Sequence, residues 1–332
     1  LLPAGDDAPS DPAGGKPSND IETIVLISID TIRADRMSCS GYQHRTTPSI
    51  DELAASSLFI QESFSTIPLT LPAHSSMMTG QVPPTHGVHD NLGMRLPDEA
   101  LTLAEILQRN GYATYGIVST VVLDSKFALD QGFDVYDDSF VDEAENSAVA
   151  QRLDDDTTDN AISWLSANSD KKKFMFLHYY DPHGPYVPPA PFSEQFRDPY
   201  DAEIAFTDHC IGKVLDRLKS LELYEDALII ITGDHGEMLG EHDEATHSFC
   251  VYQSAIRVPM MFKLPGQAHP VKVTEPCSII DVTPTTLAVA GIAIPEGMQG
   301  TNPLELMQAD AFEAGSPTGD GRSGACATYA EW

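Results

Sequence analysis

The sequence predicts an α/β fold, a doubly wound and mainly parallel central sheet with helices on both faces. Three observations carry this expectation: short β-branched runs alternate with helical stretches, the strand runs are apolar throughout, and several of them end on an acid or a histidine. Strands covered on both faces read as unbroken apolar runs, and their alternation with helices implies parallel crossovers.

TIVLISID (23–30) is the first strand and ends on Asp30. SIDELAASS reads as the helix after it, with Pro48 near its start and Ser49 and Glu52 at capping-box spacing. ALTLAEILQRNGY puts Leu103, Ile106 and Leu107 on one face, with Thr102 and Glu105 as a start and Asn110-Gly111 as a stop. YATYGIVST is the next strand, followed by a helix around DNAISWLSAN and the strand KKFMFLHYY. A long helix from about Asp201 to Leu221 precedes the strand DALIIITGD, VPMMFKL supplies one more strand, and TPTTLAVAGI closes as a helix.

The chain has 332 residues, 42% of them hydrophobic, enough for a substantial core. Its 50 acidic and 19 basic residues give a formal net charge of −31, which argues against nucleic acid or an anionic membrane surface as partner. Five cysteines show no CxxC spacing, so neither a disulfide framework nor a zinc knuckle is implied. No apolar run reaches the eighteen or so residues that span a bilayer. Residues 1–20, rich in Pro, Gly, Ala and Asp, read as a disordered tether of the kind that follows a removed signal or lipid anchor. The expectation is an exported protein, periplasmic, extracellular or lipid-anchored, with a catalytic domain over 21–310. Residues 311–332 read as a loop and the start of a truncated segment, the C-terminal subdomain being absent or incomplete.

In open α/β sheets ligands collect beyond the carboxyl ends of the strands. Asp30 ends one strand, His178, Asp181 and His183 end or follow another, and Asp234 and His235 end a third. Carboxylate mixed with imidazole suits zinc or manganese better than calcium. Gly236 is expected to let the backbone turn sharply beside the ion. In STIPLTLPAHSSMMTG (65–80), Thr70 precedes Pro72 near a helix N-terminus, where free amides and the dipole favour negative oxygen. Thr70 thus reads either as the helix cap or as a nucleophile, and His74, four residues on, as a contact to a tetrahedral anion. Thr66, in a second TxP arrangement, lacks the following histidine.

SIDTIRADRMSCSGY, TLPAHSSMMTG, THGVHDN, LHYYDPHGPY, GDHGEMLGEHDEATHSF and RVPMMF, in that order, resemble the successive motifs of the sulfatase family in the alkaline phosphatase superfamily. The resemblance runs from about residue 23 to Leu306. Typical sulfatases carry C/S-x-P-x-R, the Cys or Ser being oxidised to formylglycine. Here Thr70 holds that position and His74 the arginine position, so no formylglycine is expected. The Thr form resembles the branch of phosphodiesterases and phosphoethanolamine transferases that work through a phospho-threonine.

The resemblance implies that Asp30, Thr70, Asp234 and His235 bind one divalent metal, zinc or manganese favoured, calcium or magnesium the alternatives. Thr31 stands where typical members have a second aspartate. Asn91 matches a substrate-binding position, and His183 and His247 match positions beside the transferring group, where either could protonate the leaving oxygen. Asp181, His183 and His247 are not expected to hold a second metal. His178 and His242 read as packed or supporting residues, and Arg257 as a tie from the sheet to the C-terminal region. The resulting expectation is a hydrolase or transferase of phosphate or sulfate esters acting through Thr70, phosphorus favoured. Its substrates are small molecules, lipid headgroups or glycans. The alternatives are a true sulfatase using unmodified threonine and a non-catalytic binder of sulfated or phosphorylated glycans or lipid headgroups.

Overall fold

The computed structural model describes residues 21–140 and 151–305. Its strands, in chain order, are β1 (Thr23–Ile29), β2 (Leu58–Phe64), β3 (Ala113–Ile117), β4 (Val135–Asp137), β5 (Lys173–Tyr179), β6 (Leu228–Gly233), β7 (Arg257–Lys263), β8 (Val271–Val273) and β9 (Cys277–Ser278). The helices are α1 (Pro48–Ala54), α2 (Thr70–Thr79), α3 (Pro83–His86), α4 (Leu103–Arg109), α5 (Asp154–Ala167), α6 (Phe192–Gln195), α7 (Pro199–Ser220), α8 (Gln253–Ile256) and α9 (Val282–Val289). The expected tether and the segment after residue 310 lie outside the described residues.

The nine strands of the described residues join one sheet in the order β4-β3-β5-β1-β6-β7-β2-β8, with β9 also beside β2. Every pairing is parallel except those of β7, which runs antiparallel to β6 and β2. That exception positions the site. A parallel crossover would carry the chain back to the other end of the sheet. Because β7 reverses instead, residues 234–256 stay at the carboxyl end of β6, beside Asp30.

Side-chain alternation builds two cores. Ile24, Leu26, Phe174, Phe176, Leu228 and Ile230 pack on one face with residues of α2, α4 and α9. Val25, Ile27, Met175, Leu177, Ile229 and Ile231 pack on the other with residues of α1, α5 and α7. At the carboxyl end of the first face the pattern turns polar, with Ser28 paired in register with His178 on one side and Thr232 on the other. Each buried polar group there costs about 1–3 kcal/mol unless it is bonded, so this row needs partners. Ser28 bonds His74 on α2, His178 receives the Ser119 amide, and Thr232 donates to the carbonyl of Gly233 in its own strand.

Two local expectations are corrected. Ser49 and Glu52 form no capping box: Thr47 is the N-cap of α1, and the Asp208 carboxylate on α7 accepts the Ser49 and Ile50 amides at 3.0 and 2.8 Å. A distant acid has replaced the local cap. Among the described residues, Arg257 ties β7 to the Gln61 carbonyl on β2 rather than to the C-terminal region. The Thr102–Glu105 box on α4 is present as expected, with both reciprocal bonds. Strand β2 went unread because its burial alternates only partly.

Candidate metal centre and active site

Thr70 is the first residue of α2, and its hydroxyl caps nothing; the N-cap is Leu69, and the Leu71 amide is taken by Asn91 Oδ1 at 2.8 Å. The Thr70 Oγ1 is therefore free to face the sheet edge. It lies 3.5 Å from Asp30 Oδ2 and 3.3 Å from His235 Nε2. Both partners are fully buried, and Thr70 is 2% exposed.

Asp30 and Asp234 come from neighbouring strands, β1 and β6, and with His235 they bring three ligand-type atoms within 4.8 Å of one another. Asp234 Oδ1 accepts the His235 and Thr31 amides at 2.7 and 3.2 Å. Asp234 Oδ2 and Asp30 Oδ1 have no hydrogen-bond partner although both are buried. The His235 Nδ1–H donates to the Gly236 carbonyl at 3.0 Å, which leaves the Nε2 lone pair turned inward. Burial, then the neighbouring His247, hold the His235 imidazole down at about 3, so it stays neutral. Burial, reinforced by the Asp30 charge, pushes the Asp234 carboxyl well up. Burial also opposes ionisation of Asp30, yet the His178 contact and the surrounding imidazoles hold its carboxyl below the usual range. Two buried carboxylates with orphaned oxygens beside a neutral imidazole fit a divalent cation.

Thr31 contributes nothing to that set. Its φ of 54° places it in the left-handed region, its hydroxyl donates to the Asp30 carbonyl at 2.8 Å, and its amide holds Asp234. Gly236 does not have a positive φ, so what it contributes is space rather than a left-handed conformation. A Cβ there would fall 2.0 Å from the Ser254 carbonyl oxygen, so glycine is required by the close approach of the 254–255 backbone.

His74 differs from its expectation. Its Nδ1–H donates to the Thr70 carbonyl at 2.8 Å and its Nε2 accepts from Ser28 Oγ at 2.9 Å, so no ring nitrogen is left for a substrate anion. Burial and the neighbouring His178 hold its imidazole down at about 3. A neutral His74 braces the backbone of Thr70 from below.

On the open side, His247 lies with its ring centroid 4.4 Å from that of His235 and 5.1 Å from that of His183. His183 stacks on Tyr180 at 4.5 Å and anchors Nδ1 on the Gly184 carbonyl at 2.7 Å. Sequence reasoning missed Glu237. Its buried carboxylate accepts the His247 amide at 2.7 Å and lies 3.2 Å from His247 Nδ1. GDHGE places this acid two residues past His235, but only the fold of the 234–256 loop brings it behind His247. Asp181 leaves the group: its Oδ2 accepts the Asp154 amide, and it forms no metal-capable cluster with His183 and His247 among the described residues. His242 is exposed and stacks on Tyr252. Thr66 bonds Ser76 and stays away from the acids.

The sheet thus carries a carboxylate–imidazole cluster at its carboxyl edge, facing a hydroxyl on a helix start. The sulfatase family model matches residues 22–292, and the chain belongs to that family. It is 28% identical to an ulvan-active sulfatase of Formosa agariphila over 86% of its own length and 65% of the relative's. A choline-sulfatase of Rhizobium meliloti is 23% identical over 88% of this chain and 71% of the relative. A phosphonate monoester hydrolase of Agrobacterium radiobacter shares the fold at a TM-score of 0.74 and 20% identity, over 90% of this chain and 78% of that one. The chain thus spans about two thirds of the first of these relatives. Among the described residues no helix is long and apolar enough to cross a membrane.

Proposed function

We propose that the chain hydrolyses, or transfers to an acceptor hydroxyl, a phosphate or sulfate ester, with Thr70 as the nucleophile. The observation that carries this reading is the uncapped Thr70 hydroxyl, 3.3 Å from His235 Nε2 and 3.5 Å from Asp30 Oδ2 at a helix start. One divalent ion, zinc or manganese by the mixed donor set, would be held by Asp30, Asp234, His235 and Thr70; when bound it lowers the pKa of the threonine hydroxyl and offsets charge on the transferring group.

Thr70 Oγ1, its proton already lost to solvent, attacks phosphorus or sulfur in line, and it is this ionised oxygen that the second step regenerates. Its bond to that atom forms as the bond to the leaving oxygen breaks, and that oxygen takes a proton from His183 or His247. Water or an acceptor hydroxyl then attacks the threonine ester, the same imidazole takes the proton, and Thr70 is released. Asn91, fixed through Oδ1 by Leu71, presents its amide nitrogen to the non-bridging oxygens. His74 positions Thr70 through its carbonyl.

Phosphorus is favoured over sulfur, because threonine cannot become formylglycine and a sulfated threonine has no diol to collapse. The names of the relatives support sulfate esters. A panel of aryl sulfate, phosphate monoester, phosphate diester and phosphonate monoester substrates, run on the parent chain and Thr70→Ala, tests both points. The reading expects phosphorus esters to turn over fastest and Thr70→Ala to be inactive on them. Full turnover by Thr70→Ala on the best substrate removes the nucleophile assignment.

A further inference from the structure

We propose that His178 is the positioning residue for Asp30, donating its Nε2 proton to Oδ2 so that Oδ1 is left facing the ion. This rests on the metal reading above. His178 is fully buried on β5, in register with Ser28 of β1. The Ser119 amide points at its Nδ1 across 3.4 Å. An N–H needs a lone pair to point at, so in the neutral ring the proton sits on Nε2. That nitrogen lies 3.3 Å from Asp30 Oδ2, off the geometry of a full hydrogen bond, and has no other partner among the described residues. Its proton can only serve Asp30.

The same reasoning decides between two overlapping sets of metal-capable side chains. His74, His178 and Asp234 also bring three ligand-type atoms within 4.8 Å. His74, however, spends Nδ1–H on the Thr70 carbonyl and the Nε2 lone pair on Ser28. His178 spends its lone pair on Ser119. Ligation through His178 Nε2 would move the ring proton to Nδ1, where it would meet the Ser119 N–H head on. Neither imidazole has a lone pair to give, which leaves Asp30, Asp234, His235 and Thr70.

The role matters because Thr31 turns its hydroxyl to the Asp30 carbonyl and brings no carboxylate. With fewer acids around the ion, orienting the one on β1 falls to the neighbouring strand. A partner that orients a metal-ligating group typically contributes 10–100-fold in affinity.

The test titrates Mn²⁺ and Zn²⁺ separately into the metal-free chain and into His178→Gln and His178→Met, by calorimetry with chelator competition. Gln keeps an N–H donor and Met keeps bulk without one. The proposal expects His178→Met to bind about 10–100-fold more weakly and His178→Gln to recover most of that loss. The metal-free melting temperatures of the two variants should be alike, which separates orientation from packing. Parent-like affinity in His178→Met, or equal weakening in both variants, overturns the proposal while leaving the metal reading intact. So does a Co²⁺-loaded His178→Gln whose visible spectrum shows one nitrogen ligand fewer than the parent. A parent chain that binds neither ion overturns both.

Discussion

Two pairs of buried carboxylates lie at the same edge of the sheet and differ in one respect. Asp30 and Asp234 each keep an oxygen without a partner. Asp154 and Asp181 lie under the D-P-H loop: Asp154 Oδ1 accepts the Tyr180 and Asp181 amides, its Oδ2 accepts Thr207, and Asp181 Oδ2 accepts the Asp154 amide. The first pair is built around something the chain does not supply. The second is closed on itself, and a proton does the work of a cation: burial, then the Asp154 charge, push the Asp181 carboxyl up to about 9. Acid density alone therefore does not mark a metal centre; orphaned lone pairs beside a neutral imidazole do.

The largest effect that would sharpen this comparison falls on the first pair's hydroxyl. Thr70→Ala should lower turnover on the best ester by on the order of 10³ or more, with the fold unchanged by circular dichroism. On the second pair, Asp154→Ala strips the acceptor from two backbone amides and Thr207. It should cost about 3 kcal/mol of stability in urea titration, without weakening metal binding by the folded fraction.

A smaller effect concerns the cap that local reading misplaced. Asp208→Ala leaves the Ser49 and Ile50 amides of α1 bare and should cost about 1–2 kcal/mol, again by urea titration. The smallest effect depends on pH. The Asp181 carboxyl is raised in the fold, so its stabilising contribution is fully present below the ordinary carboxylate range and is lost as pH rises through about 9. Asp181→Asn removes that loss, so its melting temperature should exceed the parent's at pH 9 by about 2 °C, and the gain should be clearly smaller at pH 5. An equal gain at both values would mean that the pair does not share a proton.

How much of this was legible in the sequence follows from range. Asp30, Asp234 and His235 could be read because each directly follows an apolar strand, and the strand rule carries them to one edge. Thr70 could be placed at a helix start, but whether its hydroxyl capped that helix could not be read, since the answer depends on Asn91. Ser28, His178 and Ser119 were illegible as a group, because their meaning arises only when β1 and β5 pair in register across 150 residues of chain. The Ser49–Glu52 motif misled for the converse reason: its spacing was right, but Asp208 on α7 made the cap it would have made. His74 was expected to contact the substrate anion because helical spacing puts it on the Thr70 face but does not name its partners, which are the Thr70 carbonyl and Ser28.

The difference between the two acid pairs is tested most directly by counting ions. Metal content after equilibration with Mn²⁺ or Zn²⁺ and gel filtration should be one per chain in the parent and in Asp181→Asn, and near zero in Asp234→Asn. An ion retained by Asp234→Asn, or lost from Asp181→Asn, would contradict the account.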